Sequence, residues 1–247
     1  MKRTFKELFP RNKPIIGMLH LGGHDATDRM RRAMGEFRIL EGAGFDAVIV
    51  ENYFGPASDM RGIVEAVKAT GTDVRVGVNV LGDAYQAVNL ARNSGADFIQ
   101  IDSVCGHCLP DADIMFAEEL RSILEGVDAP VLGGVRFKYH PVLSGRTEAE
   151  DVLIGRSRCE AIVITADRTG QETDLSKVRR FRNIVGDDYP LIIGAGLTAD
   201  NVEEQLAVAD AGIVGSWLKE GHIDRGEMSP ENTRVFMSAV RRAREAE

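Results

Sequence analysis

Glu51, Asn79, Asp102 and Lys138 each come directly out of a short apolar run, and His20 ends another. Side chains of these types move protons and hold anions. Glu51 and Asp102 form a candidate acid–base pair. One carboxyl kept protonated and one ionised can run proton transfer beside a carbonyl. The same two carboxylates could instead bind a divalent metal with His20 or His140, since carboxylate and imidazole suit many such ions. No cofactor is assigned, and the metal stays an open alternative. In a third, purely structural arrangement, one carboxylate neutralises Lys138. Lys138 follows Val135-Arg136-Phe137 and would project into the same space. There it could form a Schiff base, or act as a fixed cation beside a developing enolate or a phosphate. The electrostatic role is favoured, because nearby carboxylates stabilise the charged amine. Asn79 suits orientation of a substrate hydroxyl, or an internal hydrogen-bond plug. His20, His140, Thr165 and Asp167 are the remaining candidate substrate contacts.

Glycine placement gives a second signal. Ile192-Ile193-Gly194-Ala195-Gly196-Leu197-Thr198 leads into a helical stretch, and Ile213-Val214-Gly215-Ser216-Trp217 follows about one helix later. Glycines let backbone come close to a ligand, and unpaired N–H groups complement an anion. Gly194, Gly196, Gly215 and Ser216 are therefore candidate phosphate ligands. Gly170, in Asp167-Arg168-Thr169-Gly170, would add a third wall. Turn and packing roles are the alternative for each glycine.

Cys105-Gly106-His107-Cys108 has the spacing of a redox pair or of half a zinc site. Only Cys159 remains as a third thiol, and no second C-x-x-C exists. A zinc held by Cys105, Cys108 and His107 or His140 is the minor alternative. A loop over the site, with His107 near substrate, is the main expectation.

Eight apolar, β-branched runs position these residues: Ile15–Leu21, Ala47–Asn52, Val74–Val80, Phe98–Val104, Val131–Phe137, Ala161–Thr165, Leu191–Gly196 and Gly212–Trp217. They are nearly continuous rather than alternating, as in strands buried on both faces of a parallel sheet. Helical spacing lies between them, as at Met30, Met34, Phe37 and Leu40. Asp83 and Thr198 are candidate caps, and a last helix runs from Pro230. Eight βα units predict an α/β fold, a single (β/α)8 TIM barrel. One domain covers 1–247, with 1–13 a short arm or helix over one end and 14–247 the barrel. An open doubly wound sheet is the alternative. On a barrel, sites form at the carboxyl ends of the strands, and phosphate is often held after strands 7 and 8. The residues above stand there.

Composition narrows the partners. The chain has 247 residues, 44% of them hydrophobic, enough apolar surface for a large core. Its net charge of −8, from 30 basic and 38 acidic residues, argues against nucleic acid. No apolar run approaches the roughly 20 residues that span a bilayer, and the amino terminus lacks a signal-peptide pattern. The expected partner is a small phosphorylated substrate, the expected location the cytoplasm, and homo-oligomerisation follows from fold analogy alone.

Several motifs together resemble the BtpA/SgcQ family: Ile16-Gly17-Met18-Leu19-His20-Leu21, Val48-Ile49-Val50-Glu51-Asn52, Gly77-Val78-Asn79-Val80-Leu81 and Gly95-Ala96-Asp97-Phe98-Ile99. So do Ala161-Ile162-Val163-Ile164-Thr165, Gly194-Ala195-Gly196-Leu197-Thr198 and Ile213-Val214-Gly215-Ser216-Trp217-Leu218-Lys219. The resemblance spans nearly the whole chain and implies a ribulose-phosphate-binding type of TIM barrel. One branch of that family is linked to photosystem I biogenesis and thylakoid membranes, another to sugar uptake and metabolism. Two segments depart from the pattern. Gly134-Val135-Arg136-Phe137-Lys138-Tyr139-His140 replaces an Asp-Val-x-Val-Lys-His run, and Cys105-Gly106-His107-Cys108 replaces a Thr-Gly turn. Two functions compete: a lyase or isomerase acting on a phosphorylated sugar or similar small anion, and a non-catalytic assembly or regulatory factor. The polar residues converging on one mouth favour the enzyme. An acidic chain without a basic amphipathic helix disfavours a membrane-surface role.

Overall fold

Within each apolar run, alternate residues point to opposite faces, and here both faces are covered. The computed structural model describes residues 3–245. One set of strand residues, including Ile16, Met18, Ile49, Phe98 and Val163, packs inside a closed barrel. The other set, including Ile15, Val48, Val50, Ile99 and Ile162, packs against surrounding helices. That double burial is why the runs read as continuous.

A short helix α1 (Phe5–Leu8) precedes β1 (Ile15–Leu19). Then come α2 (Ala26–Ala43), β2 (Ala47–Glu51), α3 (Met60–Lys68), β3 (Arg75–Asn79), α4 (Ala84–Ser94) and β4 (Phe98–Cys105). The second half has α5 (Pro110–Leu124), β5 (Val131–Val135), α6 (Glu148–Arg156), β6 (Ala161–Ile164), α7 (Leu175–Val185) and β7 (Leu191–Ile193). It ends with α8 (Val202–Leu206), β8 (Ala211–Val214) and α9 (Pro230–Glu245). Neighbouring strands pair in parallel in chain order, and β8 closes on β1 with Gly17 opposite Val214. The expected eight strands and (β/α)8 barrel are present, and a closed barrel replaces the open-sheet alternative. No described helix is long and apolar enough to cross a membrane.

Local chemistry starts and stops the helices. Asp25, Asp83 and Thr147 accept backbone N–H groups at the starts of α2, α4 and α6, satisfying donors that have no partner inside the helix. Thr198 does not cap α8 directly. Its hydroxyl accepts from the N–H groups of Asp200 and Asn201 in the turn before it. At the amino-terminal end of the barrel, Phe5, Leu8 and Phe9 join the inner core, with the Phe9 ring edge-on to Phe98 at 5.7 Å. Phe98 fills the interior beside Gly77, where an added Cβ would stand 2.2 Å from its ring. Gly77→Ala would overpack that layer at a cost of about 1–3 kcal/mol.

Strand 5 departs from expectation. Its run extends to Phe137 in sequence, but pairing ends at Val135. Arg136 takes φ +48°, and its guanidinium turns outward to Asp151 at 2.8 Å. Lys138 therefore sits in a turn beyond the strand, not at its end.

Candidate active site

The strand phase that sends Ile49 inward also sends Glu51 inward at the carboxyl end of β2. Glu51 is paired in register with Asn79 at the end of β3. In β4 the inward phase runs through Phe98, Gln100 and Asp102. Asn79 Nδ2 donates to Glu51 Oε1 at 2.9 Å and to Asp102 Oδ1 at 3.0 Å. One amide thus clamps both members of the expected carboxylate pair. Asp102 Oδ2 also accepts from the Gly82 N–H at 3.3 Å. Asn79 is fully buried between the two carboxylates.

On its other side Glu51 faces His20. His20 Nε2 lies 3.6 Å from Glu51 Oε2, and Lys219 Nζ lies 3.3 Å from His20 Nδ1. Lys219 also donates to the Asp224 carbonyl at 2.9 Å. A lysine ammonium has only donors, so His20 Nδ1 accepts and the imidazole proton sits on Nε2, toward Glu51. The three side chains form a buried row. Burial first, then the charges of Lys219 and Lys138, holds the His20 pKa well below its usual value. The His20–Glu51 contact is therefore not an ion pair. Burial pushes Glu51 up to about 7; Lys138 opposes that shift and Asp102 adds to it. Burial also lowers Lys219. A carboxyl that exchanges its proton near neutrality is suited to general acid–base work.

His20 and Glu51 border a cavity of about 270 Å³ that Met18, Gln100 and Tyr53 also line, whereas Asn79, Asp102 and Lys219 stand behind them. Gly194–Thr198 and Gly215–Trp217 line it too, with Thr169, Gly170, Lys138 and His222. Lys138 Nζ donates to Thr169 Oγ1 at 3.3 Å. The expected phosphate residues Gly170, Gly194, Gly196, Gly215 and Ser216 thus share one cavity with Glu51, His20 and Lys138. Two glycines have structural reasons as well. Gly196 has φ +73°, and a Cβ there would lie 2.1 Å from the Gln171 carbonyl oxygen. A Cβ on Gly215 would come within 3.0 Å of the His20 ring, so this glycine makes room for the imidazole.

Other expected contacts stand elsewhere. Asp167 is exposed, and with His140 it borders an adjoining surface depression that shares Lys138 with the cavity. His140 packs against His107 and Phe137. Thr165 is fully buried, and its hydroxyl accepts the Lys138 N–H at 2.9 Å, so it shapes the turn. His107 Nδ1 is bonded to Ser103 Oγ at 2.8 Å. Cys105 is buried beside Asp151, and burial pushes its thiol up to about 12, against redox reactivity. Among the described residues, no three His, Cys, Asp or Glu side chains converge as a metal site. Gln100, Lys219, Tyr53 and Trp217 were not among the expected site residues. Gln100 had a usable signal, the inward phase set by Asp102 two residues on. Lys219 had none, because only the turn after β8 brings it back under His20.

A closed (β/α)8 barrel with a polar cavity at its carboxyl-terminal mouth is the layout of a small-molecule site. The chain belongs to the BtpA family, whose model matches residues 11–242. An uncharacterized protein of Pyrococcus horikoshii, PH1209, is 30% identical over 95% of this chain and 98% of its own. The photosystem I biogenesis protein BtpA of Synechocystis is 27% identical, over 95% of this chain and 90% of its own. The phosphoribosyl anthranilate isomerase structure from Thermus thermophilus shares the fold with a TM-score of 0.61. It is 17% identical over 93% of this chain and 98% of its own.

Proposed function

We propose that this protein is a lyase or isomerase acting on a phosphorylated sugar or similar small anionic metabolite at the mouth of the barrel. One observation carries the reading. A buried carboxyl titrating near 7 shares a cavity with a lysine and two glycine-containing turns at the ends of β7 and β8. In this reading the phosphate rests against Gly194, Gly196, Gly215 and Ser216. Glu51 takes or returns a proton beside the substrate carbonyl, and neutral His20 offers a hydrogen bond from Nε2 while keeping its proton. Lys138 offsets the negative charge that develops on the oxygen. Asn79, itself anchored on Asp102, holds Glu51 in place. The isomerase neighbour, named for a phosphoribosyl compound, is consistent with such a substrate. Borohydride added with substrate is expected to trap no adduct on Lys138. Lys138→Arg is expected to keep part of the activity, since arginine stays cationic in a different shape.

A second reading is favoured by the Synechocystis relative, named for photosystem I biogenesis. There the barrel serves assembly or regulation without turnover. Thermal unfolding in the presence of sugar phosphates separates the two, because a ligand that binds the native state raises the midpoint. The enzyme reading expects a rise with at least one sugar phosphate. No rise with any of them favours the assembly reading.

A further inference from the structure

Three buried side-chain atoms, Asn79 Oδ1, Gln100 Oε1 and Gln205 Oε1, lack a hydrogen-bond partner among the described residues. Two belong to amides that are otherwise anchored. Asn79 donates to two carboxylates, and Gln205 Nε2 donates to the Thr173 carbonyl at 2.8 Å. Gln100 differs. It is 5% exposed, and its side chain makes no hydrogen bond to any described residue. It also lines the mouth cavity, where Gln205 does not. A buried amide without partners costs stability, and native structures keep such groups rare. An inward-facing amide in a ligand cavity is therefore placed for what the cavity takes.

Its position limits that ligand. Gln100 lies one inward position below Asp102, about 6–7 Å along the strand. Glu51 lines the same cavity, and Asp102 is joined to it through Asn79. A second anionic group at this end would meet the Glu51 carboxyl, with the Asp102 carboxylate one amide behind it. Sugar hydroxyls would not, and each can both donate to and accept from an amide. We propose that Gln100 reads the hydroxyl groups of the ligand, so that the cavity takes a phosphorylated polyol and rejects a phosphorylated carboxylic acid. This rests on the assignment of the glycine turns to phosphate.

Calorimetric titration with inorganic phosphate, ribose 5-phosphate, glycerol 3-phosphate and 3-phosphoglycerate tests it, on the wild type, Gln100→Met and Gln100→Leu. The wild type is expected to bind ribose 5-phosphate more tightly than inorganic phosphate, and glycerol 3-phosphate more tightly than 3-phosphoglycerate. Either variant is expected to lose about fivefold or more of the ribose 5-phosphate advantage, with inorganic phosphate affinity unchanged. Each free variant should unfold at a higher temperature than the wild type, because an unpaired buried amide has been removed. An unchanged ratio of the two affinities in a folded variant overturns the role of Gln100 and leaves the phosphate site standing. Tighter binding of 3-phosphoglycerate overturns the substrate class. Absence of inorganic phosphate and sugar phosphate binding alike overturns the phosphate site itself, and this inference with it.

Discussion

Asp113 and Asp151 are buried at least as deeply as Glu51, at 2%, 0% and 6% exposure, yet their surroundings are opposite in kind. Asp113 accepts from Arg146 at 2.6 Å and from both terminal nitrogens of Arg158, at 2.7 and 3.0 Å. Asp151 accepts from Arg136 and Ser144. This network ties α5 and α6 to the carboxyl end of β4 and to the turn after β5. Glu51 has no arginine. It has an amide, a neutral imidazole, a neighbouring carboxylate and, with no hydrogen bond, the charge of Lys138. Hydrogen bonds from Arg158 lead the causes that hold Asp113 below its usual range, whereas burial lifts Glu51. Where each carboxylate is matched by a guanidinium, the cluster serves the fold. Where charge is left unmatched, protonation stays adjustable, and that cluster borders the cavity.

The contrast breaks first at Asp113. Asp113→Ala strands two partly buried arginines and should cost about 3–5 kcal/mol in urea unfolding, with sugar phosphate affinity unchanged in the folded protein. A cost below about 1 kcal/mol would remove the network's structural role.

Glu51 should show the reverse. Its pKa in the folded protein, about 7, lies above the ordinary 4.5, so the native state binds the extra proton. Its contribution is fully present below pH 4.5 and is lost as pH rises toward 7. The loss is on the order of 3 kcal/mol. Glu51→Gln should flatten that decline, measured as the difference between the two stability curves over this range. Parallel curves would show that Glu51 titrates normally.

Lys219→Met sharpens the contrast within the site. In wild-type protein, histidine ring nitrogen NMR should show His20 neutral around pH 6.5, with its proton on Nε2. Without Lys219 the His20 titration midpoint should move upward, though burial still holds it below the usual 6.5. No movement would mean that Lys219 does not set the imidazole. The smallest effect is expected at Cys108, which is half-buried and accounts for none of the hydrogen bonds of the arginine network. Cys108→Ser should change stability by no more than about 0.5 kcal/mol and leave phosphate binding as it was.

The barrel was legible because its strands are buried on both faces, and continuous Val and Ile runs are what such burial selects. The residues that end strands were legible for the same reason: Glu51 and Asn79 inherit the inward phase of Ile49 and Gly77. Legibility failed where the chain leaves that phase. Arg136 turns left-handed, so Lys138 reaches the cavity from a turn. Asp167 and His140 lie on loops whose direction no periodicity fixes, and they face another depression. Lys219 is adjacent to His20 only because the residues after β8 fold back. Cys105-Gly106-His107-Cys108 was conspicuous by spacing alone, and the paired arginines around it give its buried thiol a packing role instead.

Glu51 is expected to exchange a proton with a bound sugar phosphate. Proton NMR in deuterium oxide measures this directly, using each sugar phosphate that raises the unfolding midpoint. The signal from the hydrogen beside the carbonyl should disappear in the presence of the wild type, whether or not a new product appears, and should persist with Glu51→Gln. Binding without exchange in the wild type, or equal exchange in the variant, would contradict that expectation.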